Sequence, residues 1–372
     1  MRIGVPKETL RHEHRVGLTP FSAARLVNQG HQVFVERDAG KDSHFRDEDY
    51  TEAGAMIVYR PDEAYGRADL VCRVSALAPQ EVHDVVRGTT LLGFHHVAVA
   101  PREVIASLVE KEVSLVAYEM IEDAQGRRPI LASQSEIAGK MVVQTAAHLL
   151  QHEEGGRGII LSGVAGVAPA TVVVLGAGTV GLNAARAAVA LGAHVIVLDW
   201  DPDRLRSVMG AASCHLVTAL ASRRNLRRYT RIADVVIGAV MIPGGRAPFL
   251  VTEDMVASMK PGAVILDVSI DQGGCVETSR PTSLDNPTFT VGGVIHYCVP
   301  NLTTNAPRTA SRALGISSIR HICAIANEGL DAALELHPGL GRGVYIYKGR
   351  VTNKAAAEAL GMEFTPLSEL LP

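Results

Sequence analysis

An α/β chain of two Rossmann-like, doubly wound parallel-sheet domains is predicted, and three observations predict it. The 372 residues are about two and a half times the rough 150-residue size of one domain. Short, near-continuous apolar strands alternate with helical segments, the pattern of a parallel sheet covered on both faces. Near the centre a glycine turn lies between two such strands, completing a βαβ unit of about thirty residues.

Taken in order, residues 2–5 read as a strand, 21–29 as a helix stopped by Gly30, and 32–36 as a second strand. Further strands are expected at 55–58, 70–74, 90–94 and 113–118, none followed by a glycine fingerprint. Residues 133–151 read as a long linker helix capped by Ser133 or Ser135 and ended by the 152–156 segment. Next, 171–175 (TVVVL) is a β-branched strand, and Gly176 to Gly181 (GAGTVG) is a tight turn opening a helix. Along that helix Val180, Ala184, Ala187 and Leu191 form one stripe, and Gly192 supplies the stop. The strand 194–198 ends at Asp199, and the rhythm continues through 233–240, a helix near 252–259, a Lys260-Pro261-Gly262 turn and a strand at 263–268. After Pro307 the chain reads as helical from about 310 to 336, with a tail expected to pack back on the first domain. No solenoid repeat or low-complexity tract interrupts this order.

Composition narrows the function. Against 36 Lys plus Arg stand 39 Asp plus Glu, so the net charge of -3 gives no general field for nucleic acid or anionic lipid. Aromatic residues make up 4%, with Trp200 the single tryptophan, too few for a base-stacking platform; small molecules are the expected partners. Cys72, Cys214, Cys275, Cys298 and Cys323 never form a C-x-x-C pair, so neither a disulfide framework nor a zinc knuckle is indicated and a reducing cytoplasm is expected. The first residues lack the uninterrupted apolar core of a signal peptide. Residues 159–185 carry no charge and are long enough to span a bilayer, but six glycines and prolines break them at turn-like places, against one continuous helix.

In Gly176-x-Gly178-x-x-Gly181 the first glycine permits the sharp turn, the second lets the backbone approach a pyrophosphate, and the third lets helix pack on strand. The helix N-terminus adds free N–H groups and a partial positive charge. Asp199 lies where a carboxylate accepts the adenosine ribose hydroxyls and repels a 2′-phosphate, so NAD is the expected cofactor. Arg204 and Arg206 lie just beyond and keep NADP open. Asp271 follows the 263–268 strand, and His95 and His96 close the 90–94 strand, at the carboxyl ends where open α/β sheets bind ligands. Alone, His96 reads as a packed histidine and Arg15 as surface charge. His12, Glu13 and His14 carry a weak metal signal, two histidines at i, i+2 without further ligands, and no metal is expected.

With these motifs in place the chain resembles the alanine dehydrogenase family, the group that includes the nucleotide-binding component of proton-translocating transhydrogenase. The resemblance rests on RIGVPKE at 2–8, Arg15-Val16-x-x-Thr19-Pro20, Ser135-Glu136-x-Ala138-Gly139, the 176–181 turn, and DVSIDQGG at 267–274 with Tyr297-Cys298. It implies a substrate domain of 1–130 plus 306–372, an NAD domain of 131–305, a cleft between them, and a homo-oligomer, usually a hexamer with a dimer as the alternative. It implies NAD-dependent oxidative deamination of L-alanine to pyruvate and ammonia, and the reverse. By the same resemblance Arg15 clamps the substrate carboxylate, His96 is the general acid/base, and Asp271 stands beside the reacting amine. The remaining implied contacts are Ser135, Gly176, Gly178, Thr179, Val180, Gly181, Asp199, Val240, Met241, Ile270 and Leu302 to the cofactor, and Asn301 to the substrate.

One departure stands out. The family has a substrate-contacting lysine where this chain has Ser75, which supplies no charge. Arg73 lies two residues earlier on the same strand face and is the candidate replacement. Ala76-Leu77-Ala78-Pro79 and the 301–307 loop also differ from the family pattern. An unreplaced charge-assisted contact costs about 1.5–3 kcal/mol, one to two decades in affinity or turnover. The sequence therefore leaves open a diverged enzyme that reduces another imine or keto acid, and a nucleotide-binding protein without its own turnover.

Overall fold

The computed structural model describes residues 1–97, 100–211, 216–242 and 246–371. Cys214 lies outside the described residues. The chain divides into two compact units, one of Met1–Gln134 with Thr304–Pro372 and one of Ser135–Thr303.

The first unit contains β1 (Arg2–Val5), β2 (Gln32–Glu36), β3 (Met56–Val58), β4 (Leu70–Cys72), β5 (Thr90–Gly93) and β6 (Ser114–Ala117). The second contains β7 (Thr171–Leu175), β8 (His194–Asp199), β9 (Leu216–Leu220), β10 (Val235–Gly238), β11 (Val264–Asp267), β12 (Thr288–Val291) and β13 (Val294–Tyr297). The chain then returns to the first unit with β14 (Val344–Tyr347) and β15 (Arg350–Val351).

Among the described residues the first sheet runs β15-β14-β6-β5-β4-β1-β2-β3, parallel throughout from β6 to β3. Strands β4, β5, β6 and β14 enter Val, Ile or Leu side chains from both faces into two buried clusters, which is why such strands read as unbroken apolar runs. The second sheet runs β12-β13-β11-β10-β7-β8-β9, parallel from β13 to β9. Strand order reverses beside β1 in one unit and beside β7 in the other, the doubly wound arrangement in which ligands collect at carboxyl strand ends. Each sheet closes with an antiparallel pair, β14 on β6 and β12 on β13.

The structure corrects several sequence expectations. The linker helix begins at Pro129 and ends at Leu149, so neither Ser133 nor Ser135 caps it. Proline suits a first helical turn because its missing N–H has no helical partner there. Ser133 instead donates its hydroxyl to the Ile130 carbonyl oxygen at 2.8 Å. The helix expected at 310–336 is two helices, Pro307–Glu328 and Leu330–Leu336, parted by Gly329 at φ 81°. The tail expected to pack back on the first domain belongs to the first unit, where it supplies β14 and β15. No helix of the described residues is long and apolar enough to cross a membrane, and the uncharged 159–185 run contains β7 and the start of the helix Thr179–Ala190.

Candidate functional site

Because β1, β4, β5 and β6 are parallel neighbours, the segments that follow them emerge at one end of the first sheet. Those segments carry Glu8, Glu13 and Arg15 after β1, Arg73 and Ser75 after β4, His95 and His96 after β5, and Glu119 after β6.

Arg15 is buried, 4% exposed, and its fork is engaged on one edge by Glu13: Nε donates to Oε1 at 2.7 Å and Nη2 to Oε2 at 2.5 Å. Nη1 donates to Gln134 Oε1 at 3.3 Å. Burial alone would raise the Glu13 carboxyl. The Arg15 charge and the hydrogen bonds from Arg15 and Ser75 outweigh it and hold Glu13 below the usual carboxylate range. Ser75 donates its hydroxyl to Glu13 Oε2 at 2.7 Å. Position 75 thus supports the counterion of Arg15 and adds no cation.

Arg73 is revised on this geometry. Its side chain is fully buried. Nε donates to the Ser75 carbonyl oxygen at 2.7 Å and Nη1 to Tyr65 Oη at 2.5 Å. Nη2 reaches Glu8 Oε2 and Glu81 Oε2, both at 3.1 Å. Burial raises the Glu8 carboxyl, and Arg73 opposes that only in part. The arginine is consumed by the fold and does not stand in for a lysine at 75.

His96 is half-buried, its ring stacked on Phe94 at 6.3 Å between centroids, and its backbone sits at φ 42°, a strained value for a side chain other than glycine. Glu119 holds it there by accepting the His96 N–H at 2.7 Å and the His95 N–H at 3.4 Å. Neighbouring His95 is buried with Nε2 unpartnered, and burial, aided by Arg73 and His96, holds its pKa down to about 3. Of the two histidines, His95 is buried and His96 is half-buried.

In the second unit the carboxyl ends of β7, β8, β10 and β11 are neighbours. Gly176 sits at φ 101°, and a Cβ there would stand 2.4 Å from the Ala239 carbonyl oxygen. At Gly181 a Cβ would stand 1.8 Å from the Gly176 carbonyl oxygen, so the turn closes only with glycine at both. At Gly178, by contrast, a Cβ would meet no protein atom within 4 Å. That open space faces the N-terminus of the helix Thr179–Ala190, and such a cradle fits a dinucleotide pyrophosphate. Buried Asp199 braces the turn by accepting the Ala177 N–H at 2.6 Å and the Asp201 N–H at 2.9 Å. Two accepted bonds leave a carboxylate with further lone pairs for ribose hydroxyls. Val240, whose N–H donates to Ser269 Oγ at 2.9 Å, and exposed Met241 follow β10. Ile270 and Leu302 are buried, Thr179 is exposed, and Val180 and Ser135 are half-buried.

The loop after β11 is shaped by buried Asp267, which accepts the N–H groups of Ser269, Cys275 and Val276 at 2.9–3.1 Å. This turns Asp271 outward, where Oδ1 accepts the Asn301 N–H at 3.1 Å. Asp271 and Asn301 are therefore brought together, as are Arg15, Glu13 and Ser75.

With the geometry in hand, comparison with known proteins identifies the family. The profile of the alanine dehydrogenase/PNT N-terminal domain matches residues 4–138, and that of the C-terminal domain matches residues 142–354. The chain belongs to the alanine dehydrogenase/PNT family. The alanine dehydrogenase of Mycolicibacterium smegmatis is 41% identical over 371 residues, covering 100% of each chain. A solved L-alanine dehydrogenase superposes with TM-score 0.92 at 40% identity, over 97% of this chain and 99% of that one. A transhydrogenase from Sinorhizobium meliloti, 24% identical with TM-score 0.81 over 95% of this chain and 100% of that one, shares the fold.

Within this family member, sequence reasoning missed Glu13 as the counterion of Arg15, taking it for a weak metal candidate, and missed Glu119 and Asp267 altogether. A carboxylate two residues before an arginine was the available signal for the first. The others became visible only when strand order placed 119 beside 96 and folded 267 under its own loop. Among the described residues no group of three or more His, Cys, Asp or Glu is placed to hold a metal.

Two outcomes follow from the buried charges. Arg73→Met should lower the urea-unfolding free energy by about 3–5 kcal/mol, because Glu8 and Glu81 lose their buried cation; a loss under about 1 kcal/mol would contradict that role. His95 is depressed in the folded state relative to its ordinary value of 6.5. As pH falls below that value the unfolded chain takes the proton first, so stability is full above it and falls by about a kcal/mol per pH unit toward pH 3. His95→Asn should flatten this acid limb in urea melts; an unchanged slope would show that His95 does not cause it.

Proposed function

We propose that the protein catalyses the reversible, NAD-dependent oxidative deamination of a small L-amino acid, with L-alanine as first substrate, giving pyruvate and ammonia. The observation that carries this reading is the buried Arg15 fork, backed on one edge by Glu13, at the sheet end that also presents half-buried His96. A preset planar fork matches a substrate carboxylate bidentately. Ser75 steadies Glu13, and so keeps the guanidinium from turning.

NAD, when bound at the 176–181 turn with its ribose toward Asp199, supplies the acceptor for the α-hydride. The Asp199 carboxylate favours it over a 2′-phosphorylated cofactor. The protein must then manage protons. The His96 imidazole takes one from the water that adds to the substrate iminium and gives it to the departing ammonia. Asp271 stabilises the positive charge of the amine and iminium. The strained His96 backbone, pinned by Glu119, keeps the ring from relaxing out of reach.

Because Ser75 is turned onto Glu13, the first unit offers one fewer cation beside the clamp than the family pattern, which favours as a second reading a different small keto acid or imine. A panel of amino and keto acids decides between them: alanine clearly fastest supports the first. The four described cysteines are buried free thiols, which supports a reducing cytoplasm, and family practice supports a homohexamer.

Assays with L-alanine and NAD, and with pyruvate, ammonia and NADH, should show turnover in both directions; none in either would overturn the proposal. His96→Ala should lower kcat by about 10²- to 10⁴-fold, and unchanged turnover would remove His96 from its role. Gly178→Ala adds a methyl that touches no protein atom. It should leave the unfolding free energy within about 1 kcal/mol while weakening NADH binding at least tenfold by fluorescence titration; unaltered binding would place the cofactor elsewhere.

A further inference from the structure

Arg15 can act as a clamp only if its peptide is held, and the holding groups lie far away in sequence. Three hydroxyls surround it, Ser43, Thr304 and Ser311, with exposures of 0%, 3% and 0%. The Val16 N–H donates to Ser311 Oγ at 3.0 Å, the two serine oxygens are 2.8 Å apart, and Ser43 Oγ donates to the His14 carbonyl oxygen at 2.9 Å. Counting protons gives the direction. Ser43 has one hydroxyl proton and spends it on His14, so Ser311 donates to Ser43. The result is a closed, one-way relay from the amide after Arg15 to the carbonyl before it. On the other side the His14 N–H donates to Thr304 Oγ1 at 3.0 Å, and that hydroxyl donates to the His12 carbonyl oxygen. His12 is itself at φ 67°, a conformation that needs such support.

We propose that Ser43, Ser311 and Thr304 are positioning residues for the substrate carboxylate: their buried hydroxyl relay brackets residues 12–16 and sets where the Arg15 fork points. Polar chains of this kind in a dry site stiffen what they hold, and removing one member leaves a buried backbone group unsatisfied. The hydroxyls touch no reacting atom. Their loss acts on carboxylate binding through Arg15 and leaves the dinucleotide turn alone.

This inference rests on the proposed role of Arg15, and the test separates the two. Thr304→Val keeps the shape and deletes the hydroxyl, Thr304→Ser restores the hydroxyl, and Ser311→Ala opens the relay at its centre. Thr304→Val and Ser311→Ala should raise KM for the amino acid about tenfold, with KM for NAD and the pH profile of kcat unmoved, and Thr304→Ser should stay within about twofold of the parent. Independently of turnover, amide hydrogen exchange in the 12–16 segment should quicken at least tenfold in Thr304→Val and Ser311→Ala. A parent protein that turns over no amino acid overturns the proposed reaction and leaves the exchange result to judge the relay. Unchanged exchange, an unchanged amino-acid KM in an active enzyme, or KM for NAD rising in step would each overturn the positioning role.

Discussion

The buried Arg15 fork is held in one orientation because Glu13 engages its Nε and Nη2, and Glu13 stays ionised in a buried place because Arg15 and Ser75 hydrogen-bond to it. A guanidinium taken out of water without a partner costs several kcal/mol. With the partner present, the pair is neutral overall and geometrically constrained. Nearby, Arg73 with Glu8, Glu81 and Tyr65 performs the equivalent task for the scaffold, closing the end of β4 with fully engaged donors.

Parallel strand order converts these local facts into a site. Residues 15, 75, 96 and 119 are spread over a hundred positions, yet they follow β1, β4, β5 and β6, which lie side by side. The same logic in the second unit gathers the 176–181 turn, Asp199, Val240 and Asp271 at the ends of β7, β8, β10 and β11. The 301–304 segment serves both units in turn, since Asn301 is hydrogen-bonded to Asp271 and Thr304 to the loop before Arg15.

Much of this was legible in the sequence. The runs TVVVL and HVIVL with their glycine turn specify β7, β8 and the helix between them almost to the residue, because buried parallel strands and glycine geometry are local signals. The tail was not legible. Val344–Tyr347 is a short run, and its pairing with β6 and β15 makes it a strand. Nor was the start of the linker helix, since two serines resembled caps while Pro129 began the helix earlier. The side-chain partners were the least legible. Arg73 shares a strand face with position 75, as the alternation of strands predicts, but the three side chains that claim it come from positions 8, 65 and 81.

The central claim is that the carbon–hydrogen bond of a clamped amino acid breaks as a hydride. L-alanine deuterated at the α-carbon, turned over with NAD, tests it directly by mass spectrometry of the reduced cofactor and the recovered solvent. The account predicts one deuterium per turnover on the nicotinamide ring and none in water. Deuterium released to solvent, with unlabelled reduced cofactor or none, would contradict it.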